Sequence, residues 1–214
     1  MRTALRTLGL VLCLASCGGP SLDRVRNLDG PPVGRVVAFG DSLTEGTGVG
    51  DGEAWPALLE QSIGLPVENL GRAGDTTATG LARLDAVLDS EARLVIVGLG
   101  GNDFLRKVSK AETEANLRRI VERLQEDGRV VVLLGMNLGL FTDEYSSLFR
   151  RVARATGAWL IPEVLDGVLD EAAHRQEDRI HPNAAGHRVM AERIAKGLKP
   201  LVERMGSSAP PPGR

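Results

Sequence analysis

Arg35-Val36-Val37-Ala38-Phe39-Gly40-Asp41-Ser42-Leu43-Thr44-Glu45-Gly46 reads as a short apolar strand that runs straight into a polar turn closed by glycine. Apolar residues without alternation suit a strand covered on both faces, the usual state in a parallel sheet. Counting this first strand as residues 35–39, four more of the same kind follow at 66–70, 94–99, 130–134 and 158–161. Between and after them lie stripes with helical spacing: Leu117, Ile120, Val121 and Leu124; Tyr145, Leu148, Phe149 and Val152; Met190, Ile194, Leu198 and Leu201. Strands alternating with helices through short connections predict the α/β class. The expected architecture is a three-layer α/β/α sandwich around a flavodoxin-like, five-stranded parallel sheet of order 2-1-3-4-5.

That fold makes a claim about position. Ligands bind beyond the carboxyl ends of the strands where the strand order reverses, here between the first and third strands. Ser42 follows the first strand, Gly71-Arg72-Ala73-Gly74-Asp75-Thr76 the second and Gly100-Gly101-Asn102-Asp103 the third, so the three polar loops open on one edge. Asp178-Arg179-Ile180-His181-Pro182-Asn183 comes after the last strand and before a helix that Asn183 is placed to cap.

A serine hydroxyl is a weak nucleophile until a base takes its proton, and an imidazole suits that task. His181 is the candidate base. Asp178, three residues earlier in a turn ended by Pro182, is placed to hold the ring nitrogen that faces away from Ser42. His174, in a polar stretch, and His187, on the final helix, fit the role less well. Attack on an ester carbonyl makes an oxyanion, for which the chain offers three donors: the Ser42 backbone N–H, the N–H of Gly74, where no side chain blocks approach, and the Asn102 amide. Taken alone, Asn102 reads as a loop asparagine closing an Asx turn. Asp41, Asp75 and Asp103 each adjoin a candidate residue, but turn stabilisation or helix capping explains them better than proton transfer. Trp55 reads as helix packing. The chain is thus expected to be a serine hydrolase with catalytic Ser42, Asp178 and His181.

Composition narrows the partners. The chain has 214 residues, 43% hydrophobic and 25% charged, enough for one substantial core. Only 3% is aromatic and the formal charge is −2, so neither base-stacking platforms nor a basic footprint for nucleic acid is present. Arg2 and Arg6 precede an apolar stretch at residues 8–14 that is far shorter than a membrane span, the pattern of an export signal. Leu14-Ala15-Ser16-Cys17-Gly18 resembles a bacterial lipobox, in which Cys17 would be lipidated and become the mature N-terminus; an ordinary cleaved signal is the alternative. Cys13 and Cys17 are the two cysteines, so the body of the domain has no disulfide, thiolate metal site or cysteine nucleophile. The expected organisation is a lipoprotein-type signal at 1–17, a flexible tether at 18–34, a hydrolase domain at 35–204 and a disordered tail at 205–214 rich in serine and proline. Such a protein would be an exported, monomeric lipoprotein of the bacterial envelope, held to a membrane by its lipid.

Four blocks in order, Gly40-Asp41-Ser42-Leu43, Gly74-Asp75-Thr76, Gly100-Gly101-Asn102-Asp103 and Asp178 to His181, resemble those of the SGNH, or GDSL, hydrolase family, over residues 35–202. Within it the likeness is greatest to the thioesterase I, lysophospholipase and arylesterase subgroup, through Ala54-Trp55-Pro56-Ala57-Leu58-Leu59, Gly74-Asp75-Thr76 and Gly80-Leu81-Ala82-Arg83-Leu84. The resemblance implies hydrolysis of acyl esters, thioesters or lysophospholipids by a shallow, adaptable site without metal or cofactor. It also implies that the stretch from Met136 to Phe141 touches acyl chains, although a buried hinge fits those residues equally well. Gly71, a second glycine near Gly74, leaves open which of the two donates, with Gly74 favoured. Two other readings compete: a carbohydrate acetylesterase acting on cell-wall or plant polysaccharide, and a non-catalytic lipoprotein that binds lipid or glycan.

Overall fold

The computed structural model describes residues 21–137 and 143–206. Five strands, β1 (Val36–Gly40), β2 (Val67–Gly71), β3 (Leu94–Gly98), β4 (Val130–Leu134) and β5 (Trp159–Ile161), form one parallel sheet in the order β2-β1-β3-β4-β5. The unbroken apolar runs have their reason here: β1, β3 and β4 are interior strands and buried at every position. Edge strand β2 is only partly covered and is correspondingly polar. It starts one residue later than the sequence suggested, because Pro66 has no N–H to donate to the ladder and instead offers its carbonyl to Val36.

Among the described residues, eight α-helices surround the sheet: α1 (Ser42–Glu45), α2 (Trp55–Ile63), α3 (Thr77–Ala82), α4 (Asp85–Leu88), α5 (Gly101–Leu105), α6 (Lys110–Glu126), α7 (Asp143–Thr156) and α8 (Ala184–Met205). α2 packs against α8, while α6 packs against both α3 and α7. With right-handed crossovers these sets cover opposite faces of the sheet, giving three layers. The expected apolar stripes are all buried: Leu117, Ile120, Val121 and Leu124 on α6; Tyr145, Leu148, Phe149 and Val152 on α7; Met190, Ile194, Leu198 and Leu201 on α8. Ser109 caps α6 by accepting from the Glu112 N–H, and Asn183 caps α8 by accepting from the Ala185 and Gly186 N–H groups.

The tether needs correcting. Residues 21–34 are not a loose spacer but lie on the domain, with Leu28 and Val33 buried in the main core. The Asn27 amide donates to the carbonyls of Gln125 (2.7 Å) and Arg129 (3.0 Å), and the Arg93 guanidinium donates to those of Asn27 and Leu28. Val33 N–H donates to the Gly206 carbonyl at the end of α8, so the two ends of the domain meet. Glycine, proline and asparagine made this segment look unstructured, but two well-placed apolar side chains and one amide suffice to dock it. At the other end α8 continues to Met205. The signal segment at 1–17 and its Cys17, and the tail from 207, lie outside the described residues. No helix among the described residues is long and apolar enough to cross a membrane.

Candidate active site

The ends of β1, β2 and β3 carry glycine in register, Gly40 opposite both Gly71 and Gly98. α1 lies directly over this row. A Cβ on Gly40 would sit 2.1 Å from Thr44 Oγ1 and one on Gly71 would sit 2.1 Å from the Glu45 backbone nitrogen. Without side chains there, the chain can turn from strand to helix within one residue, and Ser42 becomes the first residue of α1 at the sheet's carboxyl edge. Asp41 caps that turn by accepting from the Leu43 N–H at 3.0 Å. Its burial pushes the carboxyl up to about 7, against the pull of the Leu43 N–H and of nearby His181. Asp41 thus does what the sequence suggested, holding the turn.

Asp178 and His181 arrive from the segment between β5 and α8. His181 Nε2 lies 3.0 Å from Ser42 Oγ, and His181 Nδ1 lies 2.6 Å from Asp178 Oδ2. Both contacts are satisfied when Nδ1 carries the hydrogen and donates to Asp178, leaving Nε2 to accept from the serine hydroxyl. The other carboxylate oxygen of Asp178 accepts from the Ile180 and His181 N–H groups at 3.0 Å each. Slight burial raises the Asp178 carboxyl, but the bonds from the His181 ring and these two N–H groups outweigh it and hold the group below the usual carboxylate range. Gln176, a residue the sequence did not single out, fixes this turn to the other loop. Its amide donates to the Thr47 carbonyl beyond α1 (2.8 Å) and to the Pro182 carbonyl (2.9 Å), while its N–H donates to the His181 carbonyl.

The candidate oxyanion donors come together beside Ser42. Asn102 stands in α5, and its Nδ2 donates to the Asp75 carbonyl at 3.0 Å and lies 3.5 Å from Asp41 Oδ2. Its amide therefore bridges two loops instead of closing a local turn. Gly74 has φ +81°, a conformation suited to glycine, and lines the same cavity. The Gly71 N–H is already donated to Asn69 Oδ1 at 2.9 Å, and the residue lies tight against α1. Asp75 and Asp103 are structural. Asp75 pairs with Arg83, whose guanidinium also donates to the Gly40 and Leu70 carbonyls and lies over the Phe39 ring. Asp103 accepts from Thr77 N–H at 2.8 Å and from its hydroxyl, tying α3 to α5.

A cavity of about 740 Å³ opens over this cluster. Ser42, His181, Gly74 and Asn102 share it with Leu43, Phe104, Leu105, Leu169 and Ile180. Leu105 (52% exposed) and Ile180 (43%) are the exposed large hydrophobic residues among the described ones, and both are on its wall. Ile180 carries a signal in the sequence, an apolar residue inside a polar turn; Leu105 carries none. Of the other histidines, His174 Nδ1 contacts the Gly167 carbonyl, and His187 is buried with Nδ1 accepting from the Trp55 N–H. Burial lowers His187 to about 4, so it is neutral. Trp55 is fully buried, as expected of helix packing. Met136 is in the core, and most of the stretch from there to Phe141 lies outside the described residues.

Residues 38–189 match the sequence model of the GDSL-like lipase/acylhydrolase family. Among curated proteins, the chain is 33% identical to Esterase TesA of Pseudomonas aeruginosa over 178 residues, covering 78% of this chain and 89% of that protein. It is also 33% identical to Thioesterase 1/protease 1/lysophospholipase L1 of Escherichia coli over 175 residues, covering 78% and 84%. Among solved structures, that of TesA superposes with a TM-score of 0.73 at 34% identity, covering 78% of this chain and 99% of the other.

Proposed function

This chain belongs to the GDSL-like lipase/acylhydrolase family, and from that membership we propose that it hydrolyses carboxylic esters and thioesters through an acyl intermediate on Ser42. The carrying observation is the unbroken relay from Ser42 Oγ to His181 to Asp178 at the floor of an apolar cavity. Ser42 Oγ attacks the acyl carbonyl and its proton passes to His181 Nε2. The oxyanion is met by the N–H groups of Ser42 and Gly74 and by the Asn102 amide. Asp178 stabilises the imidazolium, which gives its proton to the departing alkoxide or thiolate. Water then attacks the acyl-serine, its proton returns through His181, and a carboxylic acid leaves.

The acyl chain lies along Leu43, Phe104, Leu105, Leu169 and Ile180. That wall supports acyl esters, thioesters and lysophospholipids, the kinds of substrate named for the relatives, over acetylated polysaccharide. Phe104 is the one aromatic residue among the described wall residues, a poor surface for sugar rings. The intact relay speaks against a retired, purely binding role. Ser42→Ala should lower hydrolysis of p-nitrophenyl butyrate by at least about 10³-fold; a variant as fast as the parent would refute the nucleophile.

Export and anchoring belong to the same proposal. The segment at 1–17 directs the chain to the cell envelope, and lipid on Cys17 holds it to the membrane. Mass spectrometry of the membrane fraction should find the mature N-terminus at an acylated Cys17, and an unmodified N-terminus downstream of it would exclude the anchor.

A further inference from the structure

Arg179 stands between Asp178 and His181 with φ +66°, in the left-handed region where glycine is unstrained and a branched or long side chain is disfavoured. The turn itself would be better served by glycine. Arg179 does not repay this by pairing with its neighbour: the Asp178 oxygens are engaged by the His181 ring and by two backbone N–H groups. Among the described residues its side chain has no ion pair, and it is exposed on the wall of the catalytic cavity. Asp170, a carboxylate on the same wall, does not pair with it, and Arg175, also on that wall, donates to the Leu169 carbonyl.

We propose that Arg179 is a specificity-determining residue that binds a phosphate carried on the leaving-group side of the acyl substrate. The inference rests on the esterase reading and deepens it. The leaving oxygen or sulfur must lie within reach of His181 Nε2 to collect its proton, so the rest of that group passes the turn that carries Arg179, while the acyl chain takes the apolar wall. A planar guanidinium binds phosphate oxygens in pairs. Lysophospholipids and acyl-coenzyme A both present such a phosphate, and the two sources separate by experiment.

The test compares full-length protein with its Arg179→Gly and Arg179→Lys variants on lauroyl-coenzyme A, 1-lauroyl lysophosphatidic acid and neutral 1-monolauroylglycerol. Arg179→Gly should raise KM about tenfold on the phosphate-bearing substrates, with kcat nearly unchanged. Turnover of monolauroylglycerol should stay within about twofold and Tm should hold or rise, because glycine relaxes the turn. Arg179→Lys should keep part of the preference, and salt near 1 M should erase it by screening. A loss confined to one phosphate substrate supports the proposal and names the source. Equal losses on all three substrates, or none, overturn it. A parent protein inert on all three but active on p-nitrophenyl butyrate would overturn this inference alone, whereas one inert on that ester as well would overturn the esterase reading and this inference with it.

Discussion

His181 reaches Ser42 across most of the chain because small polar groups hold the two loops together. Gln176 bridges the Thr47 and Pro182 carbonyls, so the base and the nucleophile share one clamp. Removing it leaves the triad residues in place but loosens their distance. Gln176→Ala should therefore lower kcat by about tenfold or more, with little change in KM, since misplacement by about 1 Å can cost as much as 100-fold; an unchanged kcat in steady-state kinetics would show the clamp to be idle. That Ser42, Asn102, Asp178 and His181 meet at one sheet edge was legible from the sequence, because their chemistry is scarce and each follows a strand or precedes the last helix. Gln176, Arg179 and Leu105 were not. A glutamine gains meaning only from carbonyls folded against it, a left-handed backbone leaves no mark when the residue is arginine, and Leu105 shares its type with many core residues.

The glycine-lined ends of β1, β2 and β3 are what make the serine turn possible. Their register lets α1 lie on the sheet's edge with Thr44 against Gly40 and Glu45 against Gly71. A methyl group on Gly40 would meet Thr44 Oγ1 at 2.1 Å and the Gly98 carbonyl at 2.7 Å, the latter a backbone atom that cannot rotate away. Gly40→Ala should cost about 1–3 kcal/mol in urea unfolding, as overpacking does, and should depress kcat as Ser42 shifts. Wild-type stability and rate would contradict this account of the turn. Strand number and order were readable in advance from the alternation of apolar runs and helical stripes. The contact that seats α1 was not, since it depends on which residues face each other across three strands. The segment at 21–34 misled for the opposite reason: its composition resembles a linker, while Leu28 and Val33 dock it to the core.

Across the molecule, two buried groups oppose each other as pH changes. His187, lowered to about 4 by burial, is neutral in the folded protein, whereas the unfolded chain takes up its proton near 6.5. Its contribution is present above that value and is lost as pH falls toward 4. Asp41, raised to about 7 from 3.8 chiefly by burial, keeps its proton in the fold over a range where the unfolded chain has lost it. It therefore favours folding at low pH and weakens it as pH rises through 7. The two slopes largely cancel between 4 and 7. Asp41→Asn, which retains a cap acceptor, should raise the urea midpoint above neutral pH and unmask a decline from about 6.5 to 4 driven by His187. Parallel pH profiles for the variant and the parent would contradict it. The fold's main work is to bring positions 42, 102, 178 and 181 from separate parts of the chain to one sheet edge, where we propose that they form an acyl-transfer site. The most direct test of that claim is peptide mass spectrometry after reaction with a fluorophosphonate. The account predicts one stoichiometric adduct on the peptide containing Ser42, absent from Ser42→Ala and strongly slowed in His181→Ala; an unlabelled Ser42, or labelling that survives both substitutions, would contradict it.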